Sequence, residues 1–448
     1  MEEALLAPSS SSANQRRGVA SLGTTSFNMV NNMVGSGLLS IPWCVRQLGG
    51  SAPGAALLAL IAFVTWSSFA IIGLVCSRVP GTRSFDDLAA VAGFSKRATK
   101  MLLALYTWLS CVSYVLLTCD FVAGHGGLAR FDWACTRTSK CSWLITPFRH
   151  RYAVVLFLIV FVLYPFSRFK DFSSLKAISV VSLLAMIAMM IVALDTFFKE
   201  DKGDAESDSE FIKGFFLAHP IFLISFTAHY NAPKFYSELE EASPARFAKA
   251  SAIAIVAAFI IYGFFGIISF ETFEHATKSD VLENYSSTSG IAAFARFAMA
   301  IVVLTTYPLA FQALKGAVQT LVPQQHLNKL DYVLILVTSL PAALMRDIGV
   351  VLDYKGAVLG GIVALFIPAL AYLRSDRAVI VRESLDAEVE STEEGEADAS
   401  LVQEKVVSPR IFNIWSKILI GWALVASVGG FVVTTIKLVS DHTDDTSE

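Results

Sequence analysis

Two stretches of this chain set polar or helix-breaking residues inside otherwise apolar sequence. The first is Val34-Gly35-Ser36-Gly37-Leu38, with Pro42 a turn later. Two glycines so close weaken a helix by about 1 kcal/mol each relative to alanine. Tight packing through small residues is one use for such glycines. An unwound segment lining a cavity is another. The second stretch, residues 220–233 (PIFLISFTAHYNAP), favours the unwound segment. It is bracketed by Pro220 and Pro233 and holds Ser225, Thr227, His229, Tyr230 and Asn231. An interruption that recurs five apolar spans after the first is the pattern of a carrier built from inverted repeats.

The chemistry follows from the breaks. N–H groups freed around Gly35, Ser36 and Gly37 would open a half-helix, whose N-terminus carries about half a positive charge. That end suits a carboxylate. Carbonyls freed near Ser225, Phe226, Thr227 and Ala228 would face it and accept from an ammonium group. One positive and one negative end together suit an α-amino acid zwitterion. The substrate's side chain must then meet other spans, among which the third offers Tyr106, Trp108, Cys111 and Tyr114 and the eighth offers Tyr307. Each of these also has an ordinary packing role open to it. His229 reads either as a buried hydrogen-bonding residue or as a proton-sensitive substrate contact, its ordinary pKa lying near 6.5.

The elements that must hold these residues are membrane helices. Of the 448 residues, 54% are apolar and only 16% charged, with mean hydropathy +0.58. An ordinary soluble protein carries roughly 25% charged residues. These values exclude a disordered chain, a secreted disulfide scaffold and most soluble enzymes. The net charge of −3 gives no reason to expect nucleic acid as a partner. A spanning helix needs about 20 apolar residues. Eleven windows meet this: 21–48, 54–77, 100–123, 152–168, 174–198, 212–235, 249–272, 290–317, 331–351, 355–373 and 413–437. The expected organisation is a cytosolic N-terminus (1–20), a membrane core of ten helices (21–373), an acidic loop (374–412), an eleventh helix (413–437) and a C-terminal tail (438–448). Lys and Arg are more frequent on the side of the N-terminus, which the positive-inside rule places in the cytosol. The loop 124–151, rich in Arg and Lys, votes the other way.

Several smaller readings accompany this plan. Cys135 and Cys141 share one outer loop, where an oxidising compartment would pair them. Cys44, Cys76, Cys111 and Cys119 fall in or at spans as packing residues. Asn284-Tyr285-Ser286 is a glycosylation acceptor pattern on the same outer side. Residues 81–97 space Phe85, Leu88, Ala89 and Val91 for a short interfacial helix. Residues 383–404 are strongly acidic and lack aromatics, as in a disordered loop. Arg296, expensive within a span, is expected to face a cavity or to pair with a carboxylate such as Glu271 or Glu274. Lys234 and Glu238 read as a gating ion pair or as interface anchors.

Residues 26–39 (SFNMVNNMVGSGLL) closely resemble the first-span motif of sodium-coupled neutral amino acid transporters and their vacuolar relatives. Residues 224–239 (ISFTAHYNAPKFYSEL), 164–184 (YPFSRFKDFSSLKAISVVSLL) and 296–308 (RFAMAIVVLTTYP) are similar to further motifs of the same group. On these residues the chain is identified as a member of the amino acid/auxin permease family. The resemblance implies an all-α polytopic membrane protein with a LeuT-like 5+5 inverted repeat plus one extra helix. It further implies secondary active transport of amino acids, neutral ones above all. The sodium site of the sodium-coupled branch would map to Asn31 and Thr306, with Thr305 adjacent. Asn32 and Tyr307 depart from that branch, and proton-coupled members share much of the framework, so the coupling ion is sodium or a proton.

The expectation is therefore a carrier, with no catalytic residues and no resident cofactor. Its partners would be an amino acid and the lipid bilayer, and a monomer is compatible with this. The membrane is the plasma membrane or a vacuolar or lysosomal one. An amino-acid sensor of the same fold is the alternative.

Overall fold

The computed structural model describes residues 18–123, 128, 146–167, 175–199, 211–285, 290–323, 325, 327–345, 347–376 and 410–445. Cys135, Cys141 and the acidic stretch 383–404 lie outside the described residues, as do the side chains of Ser36 and Thr305.

Helices dominate. In chain order they are α1 (Leu22–Met33), α2 (Ile41–Gln47), α3 (Ser51–Arg78), α4 (Phe85–Val91), α5 (Lys96–Ala123), α6 (Arg151–Leu158), α7 (Leu175–Lys199), α8 (Phe211–Ser225), α9 (Ala232–Glu238), α10 (Pro244–Phe273), α11 (Gly290–Gln319), α12 (Leu327–Leu344), α13 (Ile348–Asp376) and α14 (Arg410–Asp445). Among the described residues the one β-type contact is an isolated parallel bridge between Ala20 and Leu239. Lipid offers no hydrogen bonds to a backbone, so a chain this apolar satisfies its own N–H and C=O groups within helices. Large apolar side chains such as Phe161, Phe198 and Val425 point outward, as a lipid-facing surface requires. Among the described residues, seven helical segments are long and apolar enough to cross a membrane. Helix also covers 22–33 and 36–47, 151–167, 175–199 and 327–344, where the remaining spans were expected. The number eleven itself rests on the sequence.

The two interruptions are built alike. α1 stops at Met33, Val34 turns extended, and a short 3-10 turn (Ser36–Ser40) leads into α2, which has Pro42 in its first turn. α8 stops at Ser225, and a 3-10 turn (His229–Asn231) leads into α9, which has Pro233 in its first turn. Proline lacks an N–H, which the first turn of a helix does not need, and its fixed φ suits that turn, so it opens a helix readily; Ile41 and Ala232 before the two prolines are already helical. α10 packs along α1, α2 and α3, while α8 lies against α2, α13 and α14. The two breaks thereby face each other.

Outside this core, α4 forms where the interfacial helix was expected. Its capping box joins Ser84 and Asp87, and Phe85, Leu88 and Ala89 are buried on its inner face. Burial raises the Asp87 carboxyl, but hydrogen bonds from the Ser84 hydroxyl and the Arg83 and Ser84 N–H groups outweigh it and hold the group below the usual carboxylate range. A depressed carboxyl stabilises the fold above its unfolded pKa of about 3.9 and loses that contribution as pH falls through the folded value. Asp87→Ala should therefore lower the melting temperature at pH 7, and the gap to wild type should close as acid carries the pH down through the folded value. A gap that persists there would assign the loss to packing instead.

Arg296 corrects one expectation. It is 2% exposed and donates to the carbonyls of Leu282 and Tyr285 at 2.8 and 2.6 Å, whereas Glu271 accepts from Ser51. The loop before α11 folds back over the helix end and supplies backbone oxygens closer than either glutamate. Asn284 lies in that loop, its amide nitrogen donating to the Ala276 carbonyl at 2.5 Å. Cys44, Cys76, Cys111 and Cys119 are buried free thiols.

Candidate substrate site between the broken helices

A cavity of about 510 Å³ lies between the two breaks. Gly35 and Gly37 line it together with Ser225 and Thr227, the Ser225 side chain packing directly against Gly37; α5 contributes Tyr106, Ser110 and Tyr114. From there the cavity extends along Asn28, Lys234 and Glu238, toward the side on which the chain enters α1. The other side is closed by the loop after α10. Ser40 donates to the Ser279 carbonyl at 2.7 Å, and Arg46 donates to the Thr277 carbonyl at 2.9 Å.

Each wall has a defined chemistry. A helix resuming at Ser36 has no intrahelical acceptor for its first N–H groups, so they point out of the helix end as donors. Glycine at 35 keeps this backbone uncovered, and glycine at 37 lets the Ser225 side chain approach the main chain. At Gly35 an added Cβ would meet only the Tyr114 hydroxyl, 3.9 Å away. The Ser225 hydroxyl donates to the Ile221 carbonyl and the Thr227 hydroxyl to the Leu223 carbonyl, both at 2.7 Å. With their protons so engaged, both hydroxyls present lone pairs to the cavity. The carbonyls of Ser225 and Ala228, expected as the acceptors, already take hydrogen bonds from Tyr262 (2.7 Å) and the Asn231 N–H (3.0 Å). The side chains therefore carry more of the acceptor role than the sequence suggested.

Asn31 and Thr306 also line this cavity, on α1 and α11. The Thr306 hydroxyl donates to the Val302 carbonyl at 2.7 Å, which leaves its lone pairs open to a cation. Asn31 is shared with a second, smaller apolar cavity bounded by Met186 and Met299.

Three residues singled out from the sequence stand behind the wall. Phe226 is fully buried, its ring 5.2 Å from that of Tyr262. His229 is 0% exposed and stacks on Phe69 at 3.9 Å. Tyr307 is buried and shares a 3.1 Å hydrogen bond with Thr338. For Phe226 and His229 the geometry of the break decides this, and phase cannot be read through an interruption of unknown geometry; Tyr307 stands on the unbroken α11, whose rotation is set by packing.

Tyr262 is the residue that sequence reading passed over. Its hydroxyl lies 3.0 Å from the Met33 carbonyl and 2.7 Å from the Ser225 carbonyl, the last helical residues before the two breaks. A tyrosine within an apolar span carries no local signal of such a role. Asp353 was also passed over; it is fully buried, and neither carboxylate oxygen has a hydrogen-bond partner. The Lys234 and Glu238 side chains pair loosely at 3.9 Å at the cavity's open end. Beside them the Ala20 N–H donates to the Glu238 carbonyl at 2.9 Å and so fastens the start of α1 to the end of α9.

An all-helical membrane body with a polar cavity held between two facing helix breaks defines a class, the multi-span transporters. The chain belongs to the transmembrane amino acid transporter protein family, which it matches over residues 18–380. The curated relatives it is similar to include "Putative sodium-coupled neutral amino acid transporter 11" of Mus musculus, 22% identical over 376 residues (81% of this chain, 80% of the relative). Sodium-coupled neutral amino acid transporter 7 of Rattus norvegicus is 25% identical over 379 residues, 77% of this chain and 78% of the relative. Among solved structures, the inward-facing conformation of Mhp1 covers 96% of this chain and 94% of its own at 13% identity, with a TM-score of 0.46.

Proposed function

We propose that this protein is a secondary active carrier of α-amino acids, driven by sodium or protons, that works by alternating access around its two broken helices. The observation that carries this reading is the convergence of the Gly35–Gly37 backbone and the Ser225 and Thr227 hydroxyls on one cavity. The glycine wall takes the substrate carboxylate and the hydroxyl wall takes its ammonium group. Neutral side chains are what the family resemblance implies and what the relatives' names say of those proteins; the side-chain preference of this chain rests on its own cavity wall. With the N-terminus in the cytosol, the cavity described above opens inward and the loop over α2 closes the outer side. Tilting α1 and α9 inward while that loop lifts would reverse the access.

Sodium is the leading coupling ion. Asn31 and Thr306 offer neutral oxygens from two helices, a donor set that suits a hard cation, with Thr305 beside them in sequence. His229, stacked on Phe69 behind the wall, supports the break instead of meeting substrate. Uptake of labelled amino acids into proteoliposomes under imposed sodium or proton gradients tests the whole reading. Sodium stimulation is expected, and no uptake under either gradient would refute the carrier. Asn31→Ala or Thr306→Ala should raise the sodium concentration for half-maximal uptake about tenfold while substrate affinity at saturating sodium changes little. Equal loss of both affinities would place the ion elsewhere.

A further inference from the structure

We propose that Lys355 receives a carboxylate on the substrate's side chain, so that the site takes dicarboxylic amino acids in preference to their amides. This rests on the reading that the cavity holds an α-amino acid. Lys355 opens a widened helical turn (Lys355–Gly360) within α13. The next residue, Gly356, presses on the Pro220 carbonyl so closely that an added Cβ would lie 2.2 Å from that oxygen. The turn is therefore seated tightly on α8 and fixes where the lysine stands. Its side chain is 8% exposed and lines the cavity, with Nζ 4.6 Å above the centre of the Tyr106 ring. Tyr106 in turn lies 5.6 Å from Tyr230, another lining residue.

Among the described residues no carboxylate lies within ion-pair distance of Lys355. The cavity wall holds one acid, Glu238, and that is matched by Lys234 at 3.9 Å. Asp353, two residues before Lys355, is not part of the wall. The wall thus carries one cation in excess. An ammonium group withdrawn from water needs a charged or strongly polar partner. A single tyrosine face returns only part of what dehydration costs. The substrate is the partner the geometry leaves. Two features of the cavity receive anions, the Gly35–Gly37 backbone and Lys355, and one receives an ammonium group, the Ser225 and Thr227 hydroxyls. Two carboxylates and one ammonium are the complement of an acidic amino acid. An amide side chain leaves Lys355 uncompensated, and a cationic side chain meets a like charge.

The test uses the full-length protein in proteoliposomes, with labelled glutamate and labelled alanine as probes and unlabelled glutamate, aspartate, glutamine, asparagine and lysine as competitors. Glutamate and aspartate should compete at concentrations about tenfold or more below those of their amides. Lys355→Met should bring acid and amide within about twofold while alanine uptake persists, and Lys355→Arg should keep the preference. Equal competition by acid and amide in the wild type overturns the proposal, as does a preference that survives in Lys355→Met. Equal loss of alanine and glutamate in Lys355→Met also overturns it, by assigning the lysine to the common carboxylate or to the fold. The wild-type competition stands even if a variant fails to fold. Alanine uptake without acid preference leaves the carrier reading intact, whereas no uptake of either probe under any gradient refutes that reading itself.

Discussion

Gly37→Val should abolish amino acid uptake while leaving the protein in the membrane at near-normal abundance. A Cβ at position 37 would stand 2.4 Å from the Ser225 hydroxyl oxygen and 3.4 Å from the Ser225 Cβ. Valine then adds two methyl groups on a side chain with little freedom to turn away. Ser225 cannot yield without giving up its 2.7 Å hydrogen bond to Ile221. The two breaks would be driven apart at the point where the substrate's carboxylate and ammonium groups must be held together. Overpacking of this kind costs about 1–3 kcal/mol in a packed interior. Here it falls on the binding geometry, so a loss of uptake of about a hundredfold is expected. Gly35→Ala is the contrasting case, because its Cβ meets only the Tyr114 hydroxyl at 3.9 Å. It should raise the KM for uptake without preventing transport. Normal uptake by Gly37→Val would mean that the two breaks do not approach each other during transport.

Tyr262→Phe is expected to produce the second large effect. Phenylalanine keeps the ring against Phe226 at 5.2 Å and removes only the hydroxyl. That hydroxyl serves the Met33 carbonyl at 3.0 Å and the Ser225 carbonyl at 2.7 Å. It has one proton for two acceptors, so the two helix ends share it. Leaving a buried carbonyl without its donor costs about 1–3 kcal/mol. The detergent-solubilised variant should melt at a lower temperature, and uptake should fall about tenfold or more, because both half-helices lose the tie that sets their spacing. Unchanged melting and unchanged uptake together would show that water replaces the hydroxyl without consequence.

The membrane character, the approximate positions of the helices and both helix breaks were legible in the residues alone. These features arise from local causes: a run of apolar side chains must be buried in lipid, glycine weakens a helix wherever it stands, and proline opens one. Gly35, Gly37, Ser225 and Thr227 could be found for that reason, since an interrupted span exposes its own backbone and adjacent hydroxyls. Tyr114, Asn31 and Thr306 were also found, by aromatic character and by resemblance, and they line the same cavity. Phase across a break is another matter. His229 looked as available as Thr227, yet the structure stacks it on Phe69, while Tyr307, on the unbroken α11, is turned to Thr338 by the packing of the whole helix. Each residue of a helix turns the side chain by about 100°, and an irregular turn resets the count by an amount no sequence pattern records. Arg296 met loop carbonyls instead of the nearby glutamates because only the folded loop brings Leu282 and Tyr285 over it. Tyr262 and Lys355 were decided by tertiary structure entirely. Tyr262 lies 229 residues from Met33 in the chain, and the ring beneath Lys355 belongs to Tyr106 on a distant helix. A tyrosine or lysine acquires such a role only from what stands across from it, and long-range packing, not local sequence, sets that neighbour.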